Sequence, residues 1–307
     1  MIDGMINVRK EKGFTSHDVV AKLRGILRQK KIGHTGTLDP DAVGVLPVCL
    51  GKGTKLCDMI AEKDKVYEAV LRLGMTTDTQ DISGTVLEKK AVTGEMLKAE
   101  TICEAVSSFV GDYAQVPPMY SALKVNGKKL YELAREGREV ERKPRLVHIF
   151  NIDVQKISEN AQYQTVDVAM RVHCSKGTYI RTLCHDIGEK LNTGGCMASL
   201  TRLKVGRFEL ADALTLTEIE ALVYEKRIED YVIAIDAMLA EYPAAAVQEG
   251  SERLLYNGNP LAVSDFLDAD LPLDGQWLRV YNHTGQFAAI YAYSKEKKLF
   301  KTVKMFL

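Results

Sequence analysis

The chain has 307 residues, 46% of them hydrophobic, and sets 41 basic against 41 acidic side chains for a net charge of zero. That is enough for one large domain and one small one, and it excludes a uniformly basic nucleic-acid coat while allowing local patches. No run approaches the roughly 20 apolar residues of a membrane span, and Met1 to Val8 have neither the charged start nor the apolar stretch of a signal peptide, so the cytoplasm is the expected address and no membrane the expected partner.

From the N-terminus, Thr15-Ser16-His17-Asp18 has the form of a helix N-cap with an acidic first turn. Val19, Val20, Leu23, Ile26 and Leu27 follow at helical spacing and predict an amphipathic helix that runs out at Gly33. Residues 22–31 hold five cations and no acid, a solvated face or a surface for a polyanion. Residues 33–47 then crowd three glycines and two prolines together with a histidine, two threonines and two carboxylates. That is loop chemistry, and Pro40 restricts Asp39 to extended backbone, which fixes the direction of a short ionisable side chain.

Val66 to Gly74 alternates as a strand with Tyr67, Ala69, Leu71 and Leu73 on one side, and a polar loop runs from Met75 to Gly84. Residues 95–110 read as a helix with Met96, Leu97, Ile102, Ala105, Val106 and Phe109 inward. Tyr120 to Val125 reads as a strand turning at Asn126-Gly127, with a short basic helix around Leu130 to Arg135. Leu146 to Ile157 and Thr165 to Cys174 are strand-like, Ser175-Lys176-Gly177 is a turn, and a helix from Thr178 places Tyr179 and Arg181 near its start. Leu216 to Leu239 reads as helix. Tyr242-Pro243 and the alanines after it suggest a linker to a β-rich terminal module of about 60 residues, with strands at Trp277–Tyr281 and Phe287–Tyr291.

The six cysteines contain no C-x-x-C pair and the histidines no H-x-x-x-H or H-x-E pattern, so reduced thiols are expected and metal chemistry is not. Gly51-Lys52-Gly53-Thr54-Lys55 falls short of a phosphate loop, and neither a dinucleotide fingerprint nor a nucleophile elbow is found. Any catalysis is expected to rely on side chains alone, without cofactor.

Gly33-His34-Thr35-Gly36-Thr37-Leu38-Asp39-Pro40, with Gly44 and Leu46-Pro47, resembles the catalytic motif of the bacterial TruB family of tRNA pseudouridine-55 synthases. Four more blocks follow in family order: Lys65-Val66-Tyr67-Glu68 with Gly74 through Gly84, Pro117 through Lys124, Cys174 through Arg181, and Leu200 through Phe208. Together they cover most of residues 6–210. One departure is Lys10-Glu11-Lys12-Gly13, where the family often has Lys-Pro-x-Gly. The resemblance implies an α+β fold, a mixed central sheet with flanking helices in a catalytic domain over 1–240. It also implies an RNA-contacting insertion at roughly 120–145 and a PUA-like RNA-binding module over 241–307.

The same resemblance implies that Asp39 is the catalytic carboxylate, either a nucleophile at C1′ or a base at C2′. Arg181 would pair with it and lower its pKa, and Tyr67 would stack on the target base and handle the proton lost from C5. Tyr179 and Leu200 would line the uridine pocket. His34 would contact the RNA in the space vacated by a flipped nucleotide, and Asp41 would only shape the turn. The implied partner is the tRNA T-stem-loop, bound by a monomer without guide RNA or obligate protein partner, through phosphate contacts from residues 22–31 and 124–145. A non-catalytic RNA-binding protein on the same scaffold, and a guide-dependent synthase, are the alternatives.

Overall fold

The computed structural model describes residues 1–93, 98–125, 127–160, 164–267 and 273–307. The chain opens with β1 (Gly4–Lys10) and α1 (Ser16–Ile26), then β2 (Ile32–His34) and β3 (Val43–Leu50), which flank the loop carrying Asp39. After the short α2 (Cys57–Ala61) come β4 (Lys65–Leu73), the hairpin of β5 (Met75–Thr77) and β6 (Val86–Lys89), α3 (Ala99–Ser107) and β7 (Gly111–Gln115). The small hairpin of β8 (Lys124–Val125) and β9 (Lys128–Lys129) leads into α4 (Leu130–Arg135). Next are the long β10 (Arg145–Asn160) and β11 (Thr165–Cys174), α5 (Ile180–Lys190), β12 (Gly195–Val205), β13 (Phe208–Glu209) and α6 (Leu216–Tyr224). The terminal part adds β14 (Ala244–Ala246), α7 (Glu252–Tyr256), β15 (Leu261–Ala262), β16 (Trp277–Tyr281), β17 (Phe287–Ser294) and β18 (Leu299–Met305).

Among the described residues the central sheet has nine strands in the order β1-β3-β12-β4-β11-β10-β7, with β2 on β3 and β13 on β12. It is mixed: β3 and β12 run parallel, Thr201 opposite Val43 and Arg202 opposite Gly44, and the other pairings are antiparallel. The apolar run of β3 reflects burial on both faces: Leu46, Val48 and Leu50 face α1 and α6, while Val45 and Cys49 face the opposite core. On β4 the expected alternation holds, and Tyr67, Ala69, Leu71 and Leu73 lie in the core beneath α3 and α5.

Thr15 caps α1 in a reciprocal box with Asp18, and Val19, Val20 and Leu23 are buried. Three buried aliphatic side chains at about 1.5–3 kcal/mol each outweigh a cap of about 1 kcal/mol, so packing holds the helix and the cap sets where it starts. The helix stops at Ile26, short of Gly33, because Arg28 turns to φ 50° and residues 32–34 pair with β3 instead. Lys22, Arg24, Arg28, Lys30 and Lys31 are exposed.

Other expectations are corrected. The helix expected over 95–110 is Ala99–Ser107, with Ile102, Ala105 and Val106 buried, and Met96 and Leu97 lie outside the described residues. The strand expected over 120–125 shrinks to Lys124–Val125. The helix expected over 216–239 ends at Tyr224, and two 3₁₀ turns follow at Ile228–Tyr231 and Ala237–Leu239. Between those turns, Ile233 exchanges backbone hydrogen bonds with Met5 at 2.8 and 2.9 Å, so this segment is drawn along the sheet edge. The alanines expected as linker form β14, parallel to β16.

The terminal strands make a five-stranded sheet in the order β14-β16-β17-β18-β15. It packs on the first part of the chain through Ile290 and Phe306, which meet Met5, Val45 and Leu56. Lys55 Nζ donates to the Met305 carbonyl at 2.5 Å and Lys304 Nζ to the Lys55 carbonyl at 2.6 Å. No described helix is long and apolar enough to cross a membrane.

Gly44 marks the tightest point of the parallel pairing. It holds φ +110°, and a Cβ there would lie 2.2 Å from the Arg202 carbonyl oxygen. Gly44→Ala is therefore expected to cost on the order of 3 kcal/mol, from strained backbone and forced separation of β3 from β12. Urea unfolding of the variant measures it, and a loss below about 1 kcal/mol would show that the strands can part cheaply.

Candidate active site

The loop between β2 and β3 is held from below by α1 and by Lys10 at the end of β1. Ser16 Oγ, fully buried in the first turn of α1, accepts from the Leu38 N–H at 2.9 Å. Lys10 is wholly buried, and its Nζ donates to the carbonyls of Phe14 at 2.6 Å, Pro40 at 2.9 Å and Glu11 at 3.1 Å. The Gly13 N–H reaches the Pro40 carbonyl at 3.0 Å and the Ala42 N–H the Asp39 carbonyl at 3.1 Å. The turn is thus held with Glu11 in the place of the family's proline. Burial pushes the Lys10 ammonium down to about 8, against the pull of Asp39 and Asp41. Asp41 is exposed.

Asp39 stands between these supports with its side chain 37% exposed. The Arg181 fork grips it side-on: Nε lies 3.0 Å from Oδ2 and Nη2 donates to Oδ1 at 3.2 Å. Arg181, in the first turn of α5, is only 5% exposed. Its remaining donors reach the Thr79 carbonyl at 3.0 Å and the Tyr120 carbonyl at 2.8 Å, and Asp81 Oδ2 lies 3.8 Å from Nη1. Asp81 is held by Thr79 Oγ1 at 2.8 Å, Ser83 Oγ at 2.5 Å and the Ser83 N–H at 3.0 Å. Fork geometry of this kind needs arginine rather than lysine.

The electrostatic balance at Asp39 differs from the sequence expectation. Arg181 does pull its pKa down, and Lys10 helps. Burial is the larger influence, and Asp81 adds to it, so the net shift is upward. A guanidinium already shared among three other acceptors is a weaker partner than a dedicated one.

Of the remaining expected residues, Tyr67 and Tyr179 feel the charge of Asp39. Tyr67 and Leu200, on neighbouring strands and each 8% exposed, share a core cluster with Leu38. Tyr179 caps α5, and its backbone exchanges two hydrogen bonds with the Gln115 side chain, at 2.8 and 3.0 Å. Its phenol, pushed up by burial and eased by Ser121, feels both Asp39 and Arg181. His34 lies on β2 with its ring edge-on to His17, centroids 5.2 Å apart. Burial, with His17 and Arg202 adding to it, holds His34 below the usual imidazole range, so it presents a neutral ring.

Sequence reasoning missed two charged members. Asp81 falls in the polar loop after β4, one of two acids there with nothing local to single it out. Arg202 is 2% exposed on β12, directly opposite Tyr67 in the antiparallel register. A signal for it exists: it shares the period-2 face of Leu200, so an arginine stands where a core residue is due.

Residues 24–180 match the TruB family pseudouridylate synthase (N terminal domain), and residues 181–242 match the tRNA pseudouridylate synthase B C-terminal domain. A tRNA pseudouridine synthase B of Lachnoclostridium phytofermentans is 51% identical over 312 residues, spanning 100% of both chains. The protein of the same name in Clostridium kluyveri is 44% identical, again over 100% of both, and that of Limosilactobacillus reuteri 40% over 99% of both. Among solved structures, a chain of a Cbf5-Nop10-Gar1 complex superposes with TM-score 0.71 and 25% identity, over 99% of this chain and 85% of that one. A chain of an H/ACA RNP bound to a substrate RNA containing 2′-deoxyuridine shares the fold, with TM-score 0.70.

Proposed function

Because the chain belongs to the TruB family of pseudouridylate synthases, we propose that it isomerises the T-loop uridine at position 55 of tRNA to pseudouridine. The N1–C1′ bond breaks, the base turns, and C5 rejoins C1′. This is redox-neutral and uses a carboxylate at the sugar, so Asp39 acts ionised, as nucleophile at C1′ or base at C2′. The observation that carries the reading is the part-exposed Asp39 carboxylate gripped side-on by a buried arginine. Such a site suits one nucleotide extruded from a large RNA. Tyr67 lies against the base, Tyr179 and Leu200 line its pocket, and His34 fills space left in the loop.

Residues 1–240 perform the chemistry, and the β-rich residues 241–307 act as a PUA-like RNA-binding module. Exposed cations of α1, with Lys124, Lys128 and Arg145 around the 120–145 insertion, face phosphates. On this reading a cytoplasmic monomer finds the T-loop by itself, without guide RNA or protein partner.

Purified protein is expected to convert the single target uridine of an unmodified T-stem-loop transcript with no guide added. Mapping the modified nucleotide tests this, and an unmodified transcript would overturn the enzymatic reading. Conversion only when a guide is supplied would favour the guide-dependent kind of synthase.

The acid side of the pH profile is a second test. kcat/KM follows ionisation in the free enzyme, and burial with Asp81 nearby raises the Asp39 carboxyl. Activity is therefore expected to fall with acidification already above the ordinary Asp value of about 4. An acid limb at or below that value contradicts the assignment of Asp39.

A further inference from the structure

Arg202 is the anomaly of the core. Its Nε donates to the Val45 carbonyl at 2.7 Å and its Nη2 to the Gly36 carbonyl at 3.5 Å, which ties β12 to both sides of the catalytic loop. Among the described residues, Tyr67 is the one titratable neighbour that favours its charge. Removing a cation from water without a carboxylate is costly, and a hydrocarbon side chain of similar volume would serve packing alone at lower cost. The antiparallel register sets Arg202 directly opposite Tyr67, so both side chains rise from the same face of the sheet, and the guanidinium favours a charged phenol oxygen there.

We propose that Arg202 is a positioning residue for Tyr67, holding its phenol in the uridine site and stabilising its oxyanion while the base is rejoined through C5. The inference rests on the reading of the chain as a pseudouridine synthase with Tyr67 against the base. Once C5 has bonded to C1′, the ring must lose the C5 proton and gain one at N1. The phenol passes its proton through water to N1. The phenolate so formed takes the C5 proton, the C5–H electron pair restores the C5–C6 double bond, and the C6–N1 π pair settles on the protonated N1. Tyrosine ends as it began, but the intervening species carries a negative oxygen that burial disfavours. Asp39 from the loop and Cys174 from β11 also face Tyr67 and oppose that charge, whereas Arg202 from β12 favours it.

The test is Arg202→Met and Arg202→Lys, each in wild-type and Tyr67→Phe backgrounds. The readout is single-turnover tritium release from T-stem-loop RNA labelled at C5 of uridine, across the neutral to alkaline range, with RNA affinity measured separately. Arg202→Met is expected to slow release by about 10²-fold or more at saturating RNA, with affinity changed less than about threefold. Its rate should climb with pH where the wild type is flat, and Arg202→Lys should recover part of the loss. In the Tyr67→Phe background Arg202→Met should add no more than about threefold. Equal losses in both backgrounds, or a loss confined to RNA affinity, overturn the proposal.

If Arg202→Met does not fold, the Tyr67 phenol is titrated by carbon-13 resonance in the wild type and in Arg202→Lys, its signal identified by its absence in Tyr67→Phe. The titration must move to higher pH in Arg202→Lys, and an unmoved one overturns the proposal. Wild-type protein that releases no tritium rejects instead the functional reading. A fully active Tyr67→Phe rejects the role of Tyr67 itself.

Discussion

Asp39→Asn is expected to lower pseudouridine formation by about 10⁴-fold or more, since a group that forms or directs the bond change is lost outright. T-stem-loop affinity should stay within about threefold, because asparagine keeps the shape and the loop supports from Ser16 and Lys10 do not involve the carboxylate. Stability supplies the sharper control. The folded-state pKa of Asp39 lies above its unfolded value, so the protonated form is the one folding favours, and stability is gained as pH falls through the folded pKa. Asparagine mimics that neutral form. The variant should then unfold at pH 7 at a temperature no lower than the wild type, dead but not loosened. A variant that retains a tenth of the activity, or that melts several degrees lower, contradicts this account of the carboxylate.

Arg181 is expected to show the opposite pattern, losing activity and stability together. Arg181→Lys keeps a charge but cannot meet both Asp39 oxygens and the Thr79 and Tyr120 carbonyls at once. A rate loss of about 10²–10³-fold follows if the fork orients the carboxylate. Arg181→Met goes further and leaves Asp39 and Asp81 facing each other without their shared cation. Breaking a wholly buried pair costs about 3–5 kcal/mol. Here about 2 kcal/mol is expected, because the Asp39 side chain remains 37% open to solvent. Both variants should also move the acid limb of the rate profile upward, since the group that favours ionised Asp39 is weakened or gone. Guanidinium unfolding together with the pH profile checks all three effects, and an unmoved acid limb separates Arg181 from Asp39.

What could be read in the sequence was what is written locally. The glycines and prolines around Asp39, the Thr15–Asp18 cap and the alternation of β4 each depend on neighbours within a few residues. β1 and β3 announce themselves less, because strands buried on both faces lose the period-2 pattern, and a short apolar run fits a helix as well. The error over 216–239 has a tertiary cause: Ile233 pairs with Met5, far away in sequence, and overrides local helical preference. The same holds in the site. Asp39 and Arg181 were brought together by family pattern, but the upward pKa of Asp39 depends on burial and on Asp81, which only the folded chain brings close. Arg202 stayed hidden because a charge at a core position reads as a defect until its partners are known.

The wide separation of the site residues along the chain sets a schedule for synthesis. Asp39 leaves the ribosome 142 residues ahead of Arg181, which at about 5–20 residues per second is a wait of roughly 7–28 s. Arg202 and the parallel pairing of β12 with β3 come later still. The basic helix α1 is finished long before either. Asp39 cannot meet Arg181 until more than half of the chain has been made, so any shorter nascent chain carries the carboxylate without its partner.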